Sequence, residues 1–393
     1  MIPLAITALT ATSALGLGAA AHREALLARR SGLRPNDFDP SVGGWIGRVD
    51  AIEAHALPTP LARWECRNNR LAHLALIQDG FPDRVARARD RYGPGRIATI
   101  LGTSTSGILS AEMAYRDRDA AGELPAEFDY GMTQDLFSLA GLVRDALGLA
   151  GPAYVVSTAC ASSARCFIDA ANLIGAGLAD AAVVGGADTI CRMTLHGFRA
   201  LELIAPGPCR PGDAARDGIS IGEAAGFALL ERDGASDGMG LHVLGAGASS
   251  DGHHMSSPHP QGLGAVAAMH AALDAAGLSP GDIDWINLHG TGTRANDAAE
   301  DLAVAAVFAD GVPASSTKSW TGHTLGACGI LETVIAAECI AAGLIPAALG
   351  QETPDPGFRA RHAVTERRPI DRVLSNSFGF GGINCSLVLG RAR

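Results

Sequence analysis

Two stretches of this chain repeat one pattern: a short apolar strand, a turn carrying a reactive side chain, and a helix built from alanine, glycine and other small residues. The first begins at Tyr154-Val155-Val156-Ser157, presents Cys160 at a helix start and runs to about Gly175. The second has the strand Trp285-Ile286-Asn287-Leu288, which delivers His289, and a small-residue helix that opens just after His323 and runs to about Ala342. They are followed by Gly177-Leu178-Ala179 and Gly343-Leu344-Ile345. Strands alternating with helices in both stretches call for an α/β fold whose parallel strands are buried on both faces. The repeat is far too long for a solenoid and points to two related halves.

Other segments fit that plan. Leu4-Ala5-Ile6-Thr7 reads as an opening strand before a helix from about His22 to Arg30, and Ile97 to Leu101 reads as a strand leading into the loop 102–107. Glycine and polar residues from Gly234 to Gly240 mark the connector, dividing the chain into halves 1–233 and 234–393. The net charge of -10 argues against a general nucleic-acid surface, which needs a positive field. Eight cysteines occur without a C-x-x-C pair or zinc-finger spacing, so no structural metal is expected and a reduced, cytoplasmic protein fits best. Met1 to Ala21 carries no charge but lacks a basic n-region, and threonine and serine interrupt it, so it is not read as a signal peptide. With no uninterrupted apolar run of about eighteen residues, no membrane span is expected.

The chemistry-bearing residues are few. Cys160, at a strand-to-helix junction, meets unpaired N–H groups and a helix dipole that favour a thiolate. His289 stands at a strand end before Gly290-Thr291-Gly292-Thr293, with Glu300 eleven residues on. A second histidine, His323, follows Lys318, the only lysine among 31 lysine and arginine residues. A compact ammonium is wanted there that a planar guanidinium cannot replace. Ser377-Phe378-Gly379-Phe380-Gly381-Gly382 can offer backbone N–H groups to an oxyanion while its rings shape an apolar channel. His253, His254 and His259 lie in a Pro/Ser-rich loop and read as exposed or structural. One thiol, two histidines, one lysine and a glycine loop suggest acyl transfer, and a pair of histidines suits stabilising an enolate as well as activating a thiol. That combination points to carbon–carbon bond formation.

With these motifs in this order over nearly its whole length, the chain resembles the β-ketoacyl-acyl-carrier-protein synthases of the decarboxylating Cys-His-His type. The resemblance implies a thiolase-like fold, two duplicated halves in an αβαβα arrangement. It also implies that Cys160 takes an acyl group as a thioester and that His289 and His323 promote decarboxylation of a malonyl extender. Lys318 would hold the second histidine and nearby carboxylates, with Glu300 in that network and Glu332 joining it. Thr291 and Thr293 match hydroxyls that bind the pantetheine arm; Phe378 and Ile108 match substrate-binding positions. The N–H groups of Cys160 and Phe380 match the oxyanion hole, Phe380 also acting as a gate. No cofactor is implied beyond phosphopantetheine on the substrates. The implied partners are an acyl carrier protein and a second subunit, identical or ketosynthase-like, with Arg63, Arg67 and Arg70 as carrier-docking cations. Ala8, Thr10 and Ala224 stand where relatives usually carry glycine and 116–130 is idiosyncratic, which leaves acyl chain length open. The pattern Gly218-Ile219-Ser220-Ile221-Gly222 resembles ketosynthases of specialised pathways such as polyene assembly. Competing readings are a coenzyme A thiolase, a non-catalytic partner that shapes chain length, and a Schiff-base enzyme using Lys318.

Overall fold

The computed structural model describes residues 1–232 and 239–391. The predicted connector Gly234 to Gly240 lies mostly outside these residues, as does the boundary between 233 and 234. Besides short two- and three-residue strands, the N-terminal half contributes β1 (Leu4–Ser13), β2 (Ile97–Gly102), β3 (Ala153–Val156), β4 (Ala181–Asp188) and β5 (Ala224–Arg232) to the main sheet. The C-terminal half contributes β6 (Leu241–Ser250), β7 (Trp285–Asn287), β8 (Ala314–Ser315), β9 (Arg372–Gly379) and β10 (Ile383–Arg391). Their spatial orders are β3-β2-β4-β5-β1 and β8-β7-β9-β10-β6. The direction of every pairing also matches, with two parallel and then two antiparallel partners along each path. The duplication suggested by the two repeated stretches is therefore a duplication of topology. The halves join where β1 pairs antiparallel with β6, Leu4 opposite Val243.

Helices fill three layers. Between the two sheets lie α3 (Ser162–Gly175) and α7 (Cys328–Ala342), and their apolar residues share one core with both sheets. A second core lies outside the first sheet, under α1 (Arg67–Leu76), and a third outside the second, under α5 (Leu263–Ala276) and α6 (Arg294–Val307). This is the expected five-layer arrangement. Small residues let the two central helices approach each other closely: a Cβ on Gly329 would come within 2.6 Å of the Ala164 backbone nitrogen.

The opening strand runs farther than expected, and all ten of its residues are buried, which explains the uncharged N-terminal stretch. Leu4 and Ile6 face the central core, as do Leu9 and Ala11, while Ala8 faces the outer one. The register shifts between Ile6 and Ala8, and this bulge switches the alternation from even to odd positions. The helix expected from His22 begins at Gly18. Leu325–Ala342 is long and apolar enough to cross a membrane by length and composition, but it is the buried helix of the central layer, interrupted by Glu332 and Glu338.

Each central helix is preceded by the same device. A 3-10 turn, Ala159–Ala161 or Leu325–Ala327, starts with a non-glycine residue at positive φ, 49° at Ala159 and 53° at Leu325. Such a conformation is costly and persists where surrounding structure demands it. It places Cys160 and Gly326 at equivalent points of the two halves.

Candidate active site

Cys160, buried at the head of α3, has its Sγ 3.1 Å from Nε2 of His323. His323 lies edge-on to His289, with ring centroids 5.2 Å apart and planes at 84°. The sulfur and one ring nitrogen of each histidine fall within 4.8 Å of one another. Three residues widely separated in sequence thus converge, as the sequence reading expects.

The main chain fixes each histidine. The His323 N–H donates to Ser220 O at 2.7 Å, and its carbonyl accepts the Gly222 N–H at 2.9 Å. A Cβ on Gly222 would come 2.3 Å from Thr321 O, so glycine is required for that approach. The Leu325 N–H donates to Nδ1 of His323 at 3.3 Å. A neutral ring that accepts at Nδ1 carries its proton on Nε2, so Nε2–H points at the sulfur. His289 follows β7, and the carboxylate of Glu300, on α6, accepts the N–H groups of His289 and Gly290 at 2.8 and 2.7 Å. Asn376 donates to the same carboxylate at 3.2 Å.

Glu300 is therefore a clamp on the His289 backbone, and it reaches Lys318 only through space, its charge favouring the ammonium. Burial pushes its carboxyl up to about 7 against those hydrogen bonds. The partner of Lys318 is Glu332, on α7, at 2.6 Å, with both side chains almost fully buried. Burial opposes the ammonium, but the Glu332 carboxylate holds it cationic. Burial likewise pushes Glu332 toward its neutral form, and the ammonium opposes that shift. The lysine serves the histidines through space. Burial first, and then the Lys318 charge, hold His289 and His323 well below the usual imidazole range, so both are neutral near pH 7.

The thiolate expected from the helix start is not the resting form. Burial raises the Cys160 thiol to about 11; Lys318 and the amides of Phe380 and Cys160 pull it down, and Asp188 pushes it up. Helix-end and lysine charges reduce the cost of ionisation without overcoming burial.

The glycine loop after β9 closes over the sulfur. A Cβ on Gly379 would sit 2.9 Å from Thr158 O and 3.2 Å from Cys160 N, so only glycine brings this loop onto the nucleophile. Gly381 (φ 82°) donates its N–H to Met255 O at 2.7 Å, tying the loop to the exposed segment that contains His253 and His254. The Phe380 ring packs on Phe198 of α4 (Arg192–Ala200), 5.6 Å between centroids. A cavity of about 120 Å³ runs from Cys160, His289 and His323 past Phe378 and Phe380 to Thr291 and Thr293. The two threonine hydroxyls are 3.0 Å apart. Phe198, Leu203 and Asn296 also line it and were not singled out from sequence. For Asn296 a signal existed: Thr293 caps α6 by accepting the Asn296 N–H. Ile108, half-buried at the start of α2 (Ile108–Arg116), does not line this cavity.

The three arginines separate. Arg67 is 5% exposed, held by Glu223 on both guanidinium arms and by Glu53, so it is structural and the docking expectation for it is corrected. Arg63 lies in the preceding 3-10 segment, exposed, paired with Asp145. Arg70 is partly exposed and paired with Glu65 at 2.6 Å.

The comparisons agree with this geometry. The β-ketoacyl synthase N-terminal domain matches residues 70–235 and the C-terminal domain 241–352. Nodulation protein E of Rhizobium meliloti (strain 1021) is 34% identical over 326 residues, covering 80% of this chain and 79% of its own. The 3-oxoacyl-(acyl-carrier-protein) synthase 2 of Coxiella burnetii (strain RSA 493 / Nine Mile phase I) is 31% identical over 424 residues, 98% of each chain. A chain from the complex of the ketosynthase ApeO with its chain length factor ApeC, from Xenorhabdus doucetiae, superposes with a TM-score of 0.90 at 38% identity, covering 100% of this chain and 98% of that one. Domain matches on both halves, full-length relatives and a thiol facing two neutral histidines lead to one assignment: the chain belongs to the β-ketoacyl synthase family.

Proposed function

We propose that the protein condenses a Cys160-bound acyl group with malonyl-acyl carrier protein, using Cys160, His289 and His323 as its catalytic residues. The observation that carries this is the 3.1 Å contact between the Cys160 thiol and a neutral, Nε2-protonated His323, with His289 alongside. In the first half-reaction the sulfur attacks the acyl thioester, the carrier's pantetheine thiol leaves with the proton, and an acyl–Cys160 thioester remains. In the second, malonyl thioester loses carbon dioxide. The enolate oxygen accepts N–H donors from His323 and His289, and the enolate carbon attacks acyl–Cys160. The tetrahedral oxyanion faces the amides of Cys160 and Phe380, and its collapse expels the cysteine thiolate, leaving a 3-oxoacyl product on the carrier. Donors aimed where charge develops are the largest single contribution in such sites.

The pantetheine arm carries the substrate past Thr291 and Thr293, with Phe380 and Phe198 at the gate. Arg63 and Arg70 remain as the cations proposed to meet an acidic carrier protein. We take the boundary of the two halves at residue 233, a reading that rests on the glycine and polar residues of the sequence from Gly234 to Gly240. The 38% identity to a chain of a ketosynthase–chain length factor complex supports work beside a ketosynthase-like subunit, and the sequence reading puts that work in the cytoplasm, in a specialised pathway. The edge strand β3, whose four residues are all half-buried, is the surface proposed to receive that subunit. A coenzyme A thiolase is disfavoured: Cys385, the cysteine that follows the glycine loop, is fully buried within β10. Intact-protein mass spectrometry after incubation with a panel of acyl carrier protein thioesters tests the reading. A chain-length series of adducts lost in Cys160→Ala supports it; no adduct with any donor, alone or with a co-expressed partner, would reject it.

A further inference from the structure

Asp188, the last residue of β4, is fully buried beside the catalytic centre and forms no ion pair among the described residues. Hydrogen-bond donors surround its carboxylate instead. Oδ1 accepts from the Thr103 hydroxyl at 2.6 Å, the Ser104 N–H at 2.9 Å, and the N–H and hydroxyl of Thr105, both at 2.8 Å. Oδ2 accepts from the Ser104 hydroxyl at 2.7 Å and from the Gly326 N–H at 2.6 Å. A buried charge without a counter-ion is tolerated only when its lone pairs are satisfied, and these donors satisfy them.

The donors belong to two segments that pack side by side and are both bonded to this carboxylate. One is the loop that leaves β2 and leads to Ile108; the other is the turn that follows His323. In that turn the Leu325 N–H holds Nδ1 of His323, and the next residue, Gly326, is bound to Asp188. The fit is close, since a Cβ on Gly326 would come 2.8 Å from Oδ2 and 3.1 Å from the Ser104 nitrogen.

We propose that Asp188 is a positioning residue for condensation: its carboxylate ties the turn behind His323 to the Thr103–Thr105 loop and so fixes the imidazole, in its Nε2–H form, against Cys160. This rests on the reading of Cys160 and His323 as the reacting pair. Asp188 touches no substrate and acts through His323. Its charge has a second effect, because it disfavours the Cys160 thiolate.

The test is Asp188→Asn, which preserves shape while turning one oxygen into a donor. Hydroxyl donors can rotate away, but the backbone N–H of Gly326 cannot, so the turn behind His323 is displaced. The expected result is a turnover loss of about 100-fold, the scale for a misplaced reacting group, with KM for malonyl carrier protein little changed. In the same variant, the pH midpoint for iodoacetamide alkylation of Cys160 moves down, and by more than in Gly326→Ala, which disturbs the same packing while keeping the carboxylate. Gly326→Ala pushes the turn off an intact carboxylate, so it should lose turnover similarly with a smaller midpoint shift; it carries the test if Asp188→Asn does not fold. Wild-type turnover in either folded variant, or a midpoint in Asp188→Asn that moves no farther than in Gly326→Ala, would overturn the proposal. Condensation that survives Cys160→Ala would instead sink the reaction assignment.

Discussion

Replacing Lys318 with methionine removes the ammonium but keeps a side chain of similar length, and two consequences separate cleanly. At 2.6 Å from Glu332, the pair has a gross attraction of about 6 kcal/mol at an effective dielectric near 20. Breaking a buried pair by removing one member costs about 3–5 kcal/mol, because the remaining charge is stranded. Glu332 is 2% exposed and its Oε2 already lacks a partner. With an unfolding entropy of about 2.1 cal/mol/K per residue over 393 residues, Tm should fall by roughly 4–6 °C. Adding Glu332→Leu removes the stranded carboxylate and should recover most of that loss. Activity should not recover, since the charge that helps keep His289 and His323 neutral is absent from both variants. An imidazole released from that charge has a higher pKa, so it protonates earlier as pH falls and the acid limb of malonyl decarboxylation moves to higher pH. Thermal melts together with carbon dioxide release between pH 5 and 8 measure both effects. A double variant with wild-type turnover and an unmoved acid limb would refute the electrostatic role of the lysine. Lys318→Arg keeps the charge, so its acid limb should stay in place while the wider guanidinium lowers turnover.

Other expectations follow from the same geometry. In the wild-type protein, decarboxylation should stay flat as pH falls from 8 to 6, because both histidines gain protons only well below 6.5; a half-maximum near 6.5 would contradict this. Gly379→Ala should lower turnover about 10²–10³-fold by pushing the Phe380 amide away from Cys160, with the fold intact by circular dichroism. Arg67→Ala should destabilise the protein by about 3–5 kcal/mol by stranding Glu223, whereas Arg63→Ala should leave stability nearly unchanged and raise KM for the carrier protein alone. Equal stability losses in the two arginine variants would count against that division.

The sequence made much of the site legible because strand ends and helix starts have local signatures. Cys160, His289 and His323 all occupy such positions, and the small-residue helices behind Cys160 and His323 reveal the central layer. Residues whose roles depend on distant partners were harder to read. The helical spacing of Arg67 and Arg70 describes a basic face, but Glu223, 156 residues away, turns Arg67 inward. Glu300 could be placed on its helix without knowing that it faces the His289 backbone. Thr7 and Thr10 look like interruptions in an apolar strand, yet their hydroxyls bond Glu231 and Ala75 O inside the fold. Asp188 carries no local signal at all, since its donors lie more than 80 residues away on either side.

The central claim is that one thiol and two neutral histidines divide the work of condensation, and rapid-quench analysis of preloaded acyl–Cys160 protein mixed with malonyl carrier protein tests it most directly. The account predicts loss of the adduct in step with carbon dioxide and 3-oxoacyl product, and it predicts that His289→Ala and His323→Ala keep the adduct while releasing almost no carbon dioxide. Carbon dioxide release at the wild-type rate in both histidine variants, or adduct loss without carbon dioxide in the unmodified protein, would contradict it.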